Sequence, residues 1–498
     1  MAAIITEKFR QHNADQFFES FSEASASTYY LFVGKATAFT SSTTGGSDSS
    51  PPTPSDGPAD TEFYAWDSML AAKNVTSSDI TYAIPRRNWS NGTTYDMYDD
   101  NISSSNTTTS GASNLYDSSF YFMTSDYRVY KVLDNNDGSA YSGAEPTSTS
   151  TSPFALGGYV LKYMYAITTS EAAKFLTSDF IPVSNDSTVS AAAVDGKIES
   201  IKVTAGSGYT NGTYYAAVYG DGTSAGTSSG AIIRITVASN QIQSFGLTAG
   251  TDTTIHAGGA GYTFGTVNLG AGFTFSDSGL SSASNMGGSG GAIEIVISPK
   301  NGHGNDAIGE LGGHYVMSAT TLTQAENDDI TTSNDFRQVG LVVDPTNYGT
   351  STVATASTRR QTFVVKAASS SGTFEVDEKI TQASTGAVGK VVEWDSTLSL
   401  LYFQQERFGD FGTNSTTGDH SVFTGANLIT GGTSSATLTP STDSETITLA
   451  NNNTLSTTSG YANPELQPDS GNIIYLENRK PIQRDSDQTE DIKLIIEF

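Results

Sequence analysis

Two internal repeats constrain this chain more than any other feature of its sequence. Ile198-Glu199-Ser200-Ile201-Lys202-Val203-Thr204-Ala205-Gly206 is echoed by Ile242-Gln243-Ser244-Phe245-Gly246-Leu247-Thr248-Ala249-Gly250. Gly208-Tyr209-Thr210 returns as Gly261-Tyr262-Thr263, and Gly230-Ala231-Ile232 as Gly291-Ala292-Ile293. A second repeat matches Phe374, Ile380-Thr381 and Ala387 with Phe423, Ile429-Thr430 and Ala436 at the same internal spacing. Short β-branched runs closed by glycine turns read as small β modules. From Thr204 to Ile232 the one charged residue is Asp221. So low a charge suits a packing or scaffolding module better than a catalytic cleft.

At 498 residues the chain is too long for one ordinary core and predicts two to four folded units. Helix formers are scarce while Gly, Ser, Thr, Tyr and Val are common, which predicts a mainly β fold. The absence of cysteine removes disulfides and thiol chemistry. A formal charge of −27 repels phosphate backbones, so direct nucleic-acid binding is not expected. The same charge discourages association at exposed strand edges. No stretch approaches the ~18–20 apolar residues that cross a membrane. The opening MAAIITEKFRQHNADQ is charged and amphipathic and does not read as a secretory leader.

Along the chain, Asn13 with Gln16 three residues on predicts a helix start that places Phe17, Phe18 and Phe21 on one face. A strand is expected over Thr28–Val33, then a loop over 41–60 containing Pro51-Pro52-Thr53-Pro54, then a short helix around Phe63–Lys73. Further strands are expected at Ile80–Ile84, Phe120–Met123, Tyr127–Leu133 and Tyr159–Ile167, with loops including 99–114. At the end, Ile492, Leu494, Ile496 and Phe498 alternate with Lys493, Ile495 and Glu497, which predicts a strand with those four on its core face. The charged segment Glu477–Asp491 reads as a turn or contact loop.

Residues capable of chemistry do not assemble into a known pattern. His303 lies between glycines with Glu310 and His314 downstream, but the spacing fits no zinc motif and the glycines fit a turn. Asp134-Asn135-Asn136-Asp137-Gly138 with Glu145 resembles a calcium loop, yet its glycine is fifth rather than sixth, so a hairpin turn is expected. There is no phosphate-binding loop, nucleophile elbow or usable histidine triad. No catalytic activity, cofactor or metal is therefore expected.

The two ends carry a specific resemblance. Ala3-Ile4-Ile5-Thr6-Glu7-Lys8-Phe9-Arg10, Phe32-Val33-Gly34, Pro51–Asp56 and Ile84-Pro85-Arg86-Arg87-Asn88-Trp89 are similar to the opening of the gene-product-eight baseplate wedge subunit of T-even-like contractile-tailed phages. Asn88 stands where that family has Asp. Gly158-Tyr159-Val160-Leu161-Lys162-Tyr163 resembles a family strand, with Leu161 replacing its Trp. Ile474–Arg479, Pro481-Ile482 and Asp487–Glu490 resemble the family's C-terminus. The resemblance covers about residues 1–183 and 470–498.

It implies a two-layer β-sandwich core with inserted β-rich (α+β) domains. Residues 1–193 and 461–498 would form the core, 194–345 an inserted β-repeat domain, and 346–460 a second module. It further implies a homodimer that contacts other baseplate wedge subunits in the virion tail, is assembled in the host cytoplasm, and has no enzymatic activity. The candidate contact residues carried over are Arg86, Arg87, Trp89, Tyr159, Tyr475, Glu477, Asn478, Arg479, Pro481, Asp487, Gln488 and Glu490. Arg86 and Arg87 read either as intramolecular salt-bridge partners or as a wedge contact. A trimeric receptor-binding tail adhesin and a tail-associated polysaccharide depolymerase are the competing readings.

Overall fold

The structure is a computed structural model that describes residues 5–498 apart from 24, 41–44, 56–57, 228, 275–279, 327, 333, 407–418 and 450–452; the side chains of 58–60 are likewise outside it. Ala3, Ile4 and Asp56 of the family-like segments lie outside the described residues. The fold is mainly β, as composition predicts, and its strand pairs are antiparallel throughout the named sheets. The chain forms two compact units. One comprises Met1–Gln16, Thr81–Met317 and Ile495–Phe498, and the other Phe17–Ile80 and Ser318–Leu494.

This division differs from the expected layout. The strand Asp335–Val343, placed by sequence in an insertion, pairs with both Tyr29–Gly34 and Asn472–Gln483. These form a five-stranded sheet ordered Thr358–Arg360, Met69–Val75, Tyr29–Gly34, Asp335–Val343, Asn472–Gln483. Every residue of Tyr29–Gly34 is buried. Tyr29, Leu31 and Val33 face one core with Val339 and Leu341, while Tyr30 and Phe32 face another with Ala65 and Trp66. A strand covered on both faces reads as an unbroken apolar run, which is why this one is visible in the sequence.

Both expected helices shift. The first begins at Glu7, not at Asn13, because Thr6 caps it: its Oγ1 accepts the Phe9 N–H at 3.3 Å. The second spans Pro58–Ser68 and stops there, and Met69–Val75 is a strand. Met-Leu-Ala-Ala favours helix in isolation, but pairing on both sides and burial of all four residues override that preference.

The same unit carries a closed sheet. Its order is Leu400–Gln404, Ala387–Asp395, Lys379–Gln382, Ile429–Gly431, Thr437–Pro440, Phe363–Ser371, Tyr461–Ala462, and Leu400–Gln404 pairs back onto Phe363–Ser371. The second sequence repeat is its symmetry element. Thr381 lies opposite Thr430, and Phe374, Phe423, Ile380, Ile429, Ala387 and Ala436 share one core.

The first repeat builds a sheet in the other unit, ordered Gln241–Ile242, Ile232–Ala238, Gly212–Gly220, Gly265–Val267, Ala292–Val296, Ser200–Thr204. The two halves exchange their first strands. Ser200–Thr204 pairs with the end of the second copy, and Gln241–Ile242, at the start of that copy, pairs with the end of the first. The tyrosines follow the same exchange. Tyr209 Oη accepts the Gly291 N–H at 2.8 Å, and Tyr262 Oη accepts the Ala231 N–H at 2.9 Å. Each tyrosine sits behind a glycine in the left-handed region, Gly208 at φ +74° and Gly261 at φ +73°.

The copies are not identical. Ser200–Thr204 is a full strand, whereas only Ile242 of the echoed run Ile242–Gly250 is in one. Gly246 stands where the first copy has Lys202, and a Cβ there would come within 2.3 Å of the Asp252 carboxylate. That carboxylate accepts the Thr248 N–H at 2.9 Å.

The terminal strand Thr489–Glu497 forms as expected, but its apolar face divides. Ile492 and Leu494 are buried in the core around Leu31 and Leu341, whereas Ile496 and Phe498 are half-buried. Phe498 N–H donates to the His314 carbonyl at 3.1 Å. The charged segment before it is not a loop throughout, because Asn472–Gln483 is a twelve-residue strand.

Two substitutions test this packing. Tyr262→Phe leaves the Ala231 N–H buried without an acceptor and is expected to cost about 1–3 kcal/mol in chemical denaturation. Leu494→Ala is expected to cost about 2–5 kcal/mol, with Ile496→Ala distinctly milder; equal costs would contradict the divided face.

Candidate functional site

The family-like segments converge at two places, one in each unit. In the first unit, the initial turn of the N-terminal helix, the Ile84–Trp89 run and the chain's end line a polar cleft of ≈ 440 Å³. Arg10 Nη1 donates to Glu497 Oε1 at 2.8 Å, tying the start of the chain to its end. His314 stands between two carboxylates, with Nδ1 3.4 Å from Glu7 Oε2 and Nε2 4.0 Å from Glu497 Oε1. Burial outweighs these carboxylates and lowers the imidazole's pKa.

Arg86 and Arg87 sit beside this cleft and neither forms a salt bridge among the described residues. Arg86 donates to the Thr177 carbonyl and to Asn88 Oδ1, at 2.7 and 2.9 Å. Arg87 donates to the Tyr116 carbonyl at 3.0 Å, and its guanidinium carbon lies 4.7 Å from the centre of the Tyr121 ring. The expected carboxylate partner is replaced by main-chain oxygens and an aromatic face. Trp89 packs edge-on to Tyr141 at 5.9 Å. Tyr159 is 1% exposed, accepts the Tyr95 N–H and donates to the Ser139 carbonyl. Tyr159 packs in the interior, and Trp89 is half-buried against the same aromatic cluster.

In the second unit, the proline loop and the C-terminal motif meet. Pro52, Thr53, Pro54 and Ser55 wall a recess whose opposite side includes Leu476 and Asn478. Asn478 Nδ2 donates to the Pro52 carbonyl at 2.9 Å, and its Oδ1 accepts from Gln338 Nε2 at 2.8 Å. Tyr475 Oη donates to Glu477 Oε2 at 2.8 Å; burial and that carboxylate push the phenol up to about 12. Glu477 also pairs with Arg479 at 3.4 Å.

These residues belong to the outermost strand of the five-stranded sheet, which is irregular beside Ile474 and again over Arg479–Pro481. Charges, a proline and bulges are the usual means of preventing strand addition at an edge. Asp487 and Gln488 are exposed in the following turn, where the Gln488 carbonyl accepts the Gln324 N–H. Glu490 is buried against Arg484, whose side chain is fully enclosed and also donates to the Thr331 and Gln324 carbonyls.

The candidate metal ligands do not converge. His303 Nδ1 and Glu310 Oε2 each lie 2.9 Å from Lys131 Nζ, so the protein's own ammonium stands between them. His314 belongs to the cleft described above. Tyr98 covers Lys131 at 3.8 Å, and the Gly304 N–H donates to Glu310 Oε1 at 2.7 Å. Burial, followed by the neighbouring lysines, lowers the His303 pKa well below its usual value, so Nδ1 is a neutral acceptor.

In the segment that resembles a calcium loop, Glu145 accepts from Ser125, and burial raises the Asp134 carboxyl to about 7. Asn136, Asp137 and Gly138 turn the chain with positive φ, but the next strand begins only at Phe154. The feature is a turn within a longer loop rather than a tight hairpin. Lys131 and Arg484 were missed as organising residues; a lysine within the apolar run Val129–Leu133 was the available signal for the first.

These sites define a β-rich protein whose shared parts are its two ends, held by ion pairs and main-chain contacts rather than by a reactive constellation. Those ends match the family described as Phage-Gp8: Bacteriophage T4, Gp8, over residues 3–151 and 442–498. The matched segments fall on the same two ends as the resemblance read from the motifs. The match stops before Tyr159 and begins again at 442, so the unmatched stretch is 152–441. No curated protein matches the chain.

The buried histidine gives a pH prediction. Its folded pKa lies below the unfolded value of about 6.5, so its contribution is present above that pH and lost as pH falls through it. Asp134 and Glu393, both raised to about 7, have the opposite sign and favour the fold as pH falls. The difference between parent and His303→Gln isolates the histidine. Relative to the variant, the parent is expected to lose about 1 kcal/mol between pH 7 and 5.5. A flat difference curve would contradict a neutral buried imidazole.

Proposed function

We propose that this protein is a structural subunit of a phage tail baseplate wedge, acting through protein–protein contacts and without catalytic activity. The observation that carries this reading is the family match at both chain ends, whose motif residues gather at the cleft and the recess. Tail location follows from the family, and assembly takes place in the host cytoplasm before the virion closes. The protein acts as a homodimer that joins other wedge subunits. Exposed or half-exposed Arg86, Glu477, Arg479, Pro481, Asp487 and Gln488 are its candidate contact residues.

Light scattering of the purified chain tests the dimer, with an expected mass twice 52.3 kDa. A trimer would favour the adhesin reading instead. Localisation in a reconstructed virion tests the wedge assignment, with density expected in the baseplate and not at fibre tips. Chelator is expected to leave the melting temperature unchanged, because no metal would be bound to the native state.

A further inference from the structure

A groove of ≈ 300 Å³ in the second unit belongs to neither of the sites above. Its walls are aromatic and prolyl, with Trp66, Tyr348, Phe363, Pro464 and Pro468 lining it. Tyr348 is 40% exposed and Val422 on the rim is 65% exposed. The polar lining comprises the carboxylates Asp67, Asp419 and Asp469, amides that include Gln404, Gln405 and Asn463, and the imidazole of His420. Among the described residues, neither lysine nor arginine lines it.

Two of the amides are fixed. Gln404 Nε2 donates to the Met69 carbonyl at 2.8 Å, and Gln405 Nε2 donates to the Val388 and Ser421 carbonyls at 3.0 Å each. Both glutamines are 4% exposed, so each amide plane is held by the backbone around it. Their Oε1 atoms are therefore acceptors of defined orientation. The Asn463 side chain is exposed at the edge and offers both a donor and an acceptor.

We propose that this groove is a saccharide-binding site for a neutral sugar of one or two rings. Phosphate-bearing or carboxylate-bearing ligands would meet three carboxylates, and the imidazole of His420 already stands 4.0 Å from the Asp67 carboxylate. A purely apolar ligand would leave the fixed amides unmatched. A sugar presents an apolar C–H face, which lies against an aromatic ring such as Tyr348, and a rim of hydroxyls that donate to carboxylate and amide oxygens. The volume is at the lower end of that of small-molecule pockets, which limits the occupant to a short segment.

The test uses the full chain and four probes: maltose, lactose, N,N′-diacetylchitobiose and, as the anionic control, 3′-sialyllactose. Binding is read by calorimetry and by tryptophan emission, with Trp66→Phe assigning the optical signal. At least one neutral probe is expected to bind at millimolar concentration, with sialyllactose weaker than lactose. Tyr348→Ala is expected to weaken the binding about tenfold without moving the melting temperature, since the ring is exposed. Asn463→Ala gives a second, independent surface variant and is also expected to weaken binding. The proposal is overturned if no neutral probe binds at about 10 mM. It is equally overturned if both variants bind as the parent does.

Discussion

The pairing of Asp335–Val343 between Tyr29–Gly34 and Asn472–Gln483 is the contact on which the second unit depends. It joins three segments drawn from the start, middle and end of the chain, each pair separated by well over a hundred residues. Closing such loops costs entropy only logarithmically in their length, so a long intervening sequence adds little once the strands pair. Burial on both faces of Tyr29–Gly34 supplies the opposing term, because a register slip would force Tyr30 and Phe32 into the core shaped for Leu31 and Val33, and the reverse. A sheet of this kind tolerates variation in what is inserted between its strands but not in the strands themselves.

The parts of the fold legible in the sequence were those where local pattern and tertiary burial agree. Tyr29–Gly34, Arg128–Asp134 and Tyr159–Ala166 are apolar runs that become interior strands, and each was visible from its composition. Met69–Val75 was misread because its residues favour helix and only its sheet neighbours make it a strand. The repeats identified modules correctly but not their exchange, since which copy a strand pairs with is a long-range property. The tyrosines at 209 and 262 are the exception: a repeated Gly-Tyr placed before a repeated Gly-Ala-Ile is the trace of a hydroxyl reaching a main-chain N–H.

The candidate site was legible in its membership more than in its chemistry. Arg86 and Arg87 read from sequence either as intramolecular salt-bridge partners or as a wedge contact. The structure gives them carbonyls and a ring, which satisfy a guanidinium without placing a second charge in a half-buried position. His303 and Glu310, which read from sequence as parts of a turn, meet at Lys131. Sequence spacing cannot show this, because Lys131 comes from a strand more than 170 residues earlier.

Rigidity, rather than reactivity, is the common property of these polar clusters. Lys131 with His303 and Glu310, Arg484 with Glu490, and Asn478 with Gln338 and the Pro52 carbonyl each fasten a loop or hairpin to a strand. A buried charged pair contributes little net stability over an apolar replacement, yet losing one partner leaves the other uncompensated. Such pairs penalise alternative arrangements more than they deepen the native one. For the structural subunit proposed above, that selectivity matters more than depth. Contact geometry must already be in place when the neighbour arrives, because ordering a flexible surface on binding would subtract from the affinity.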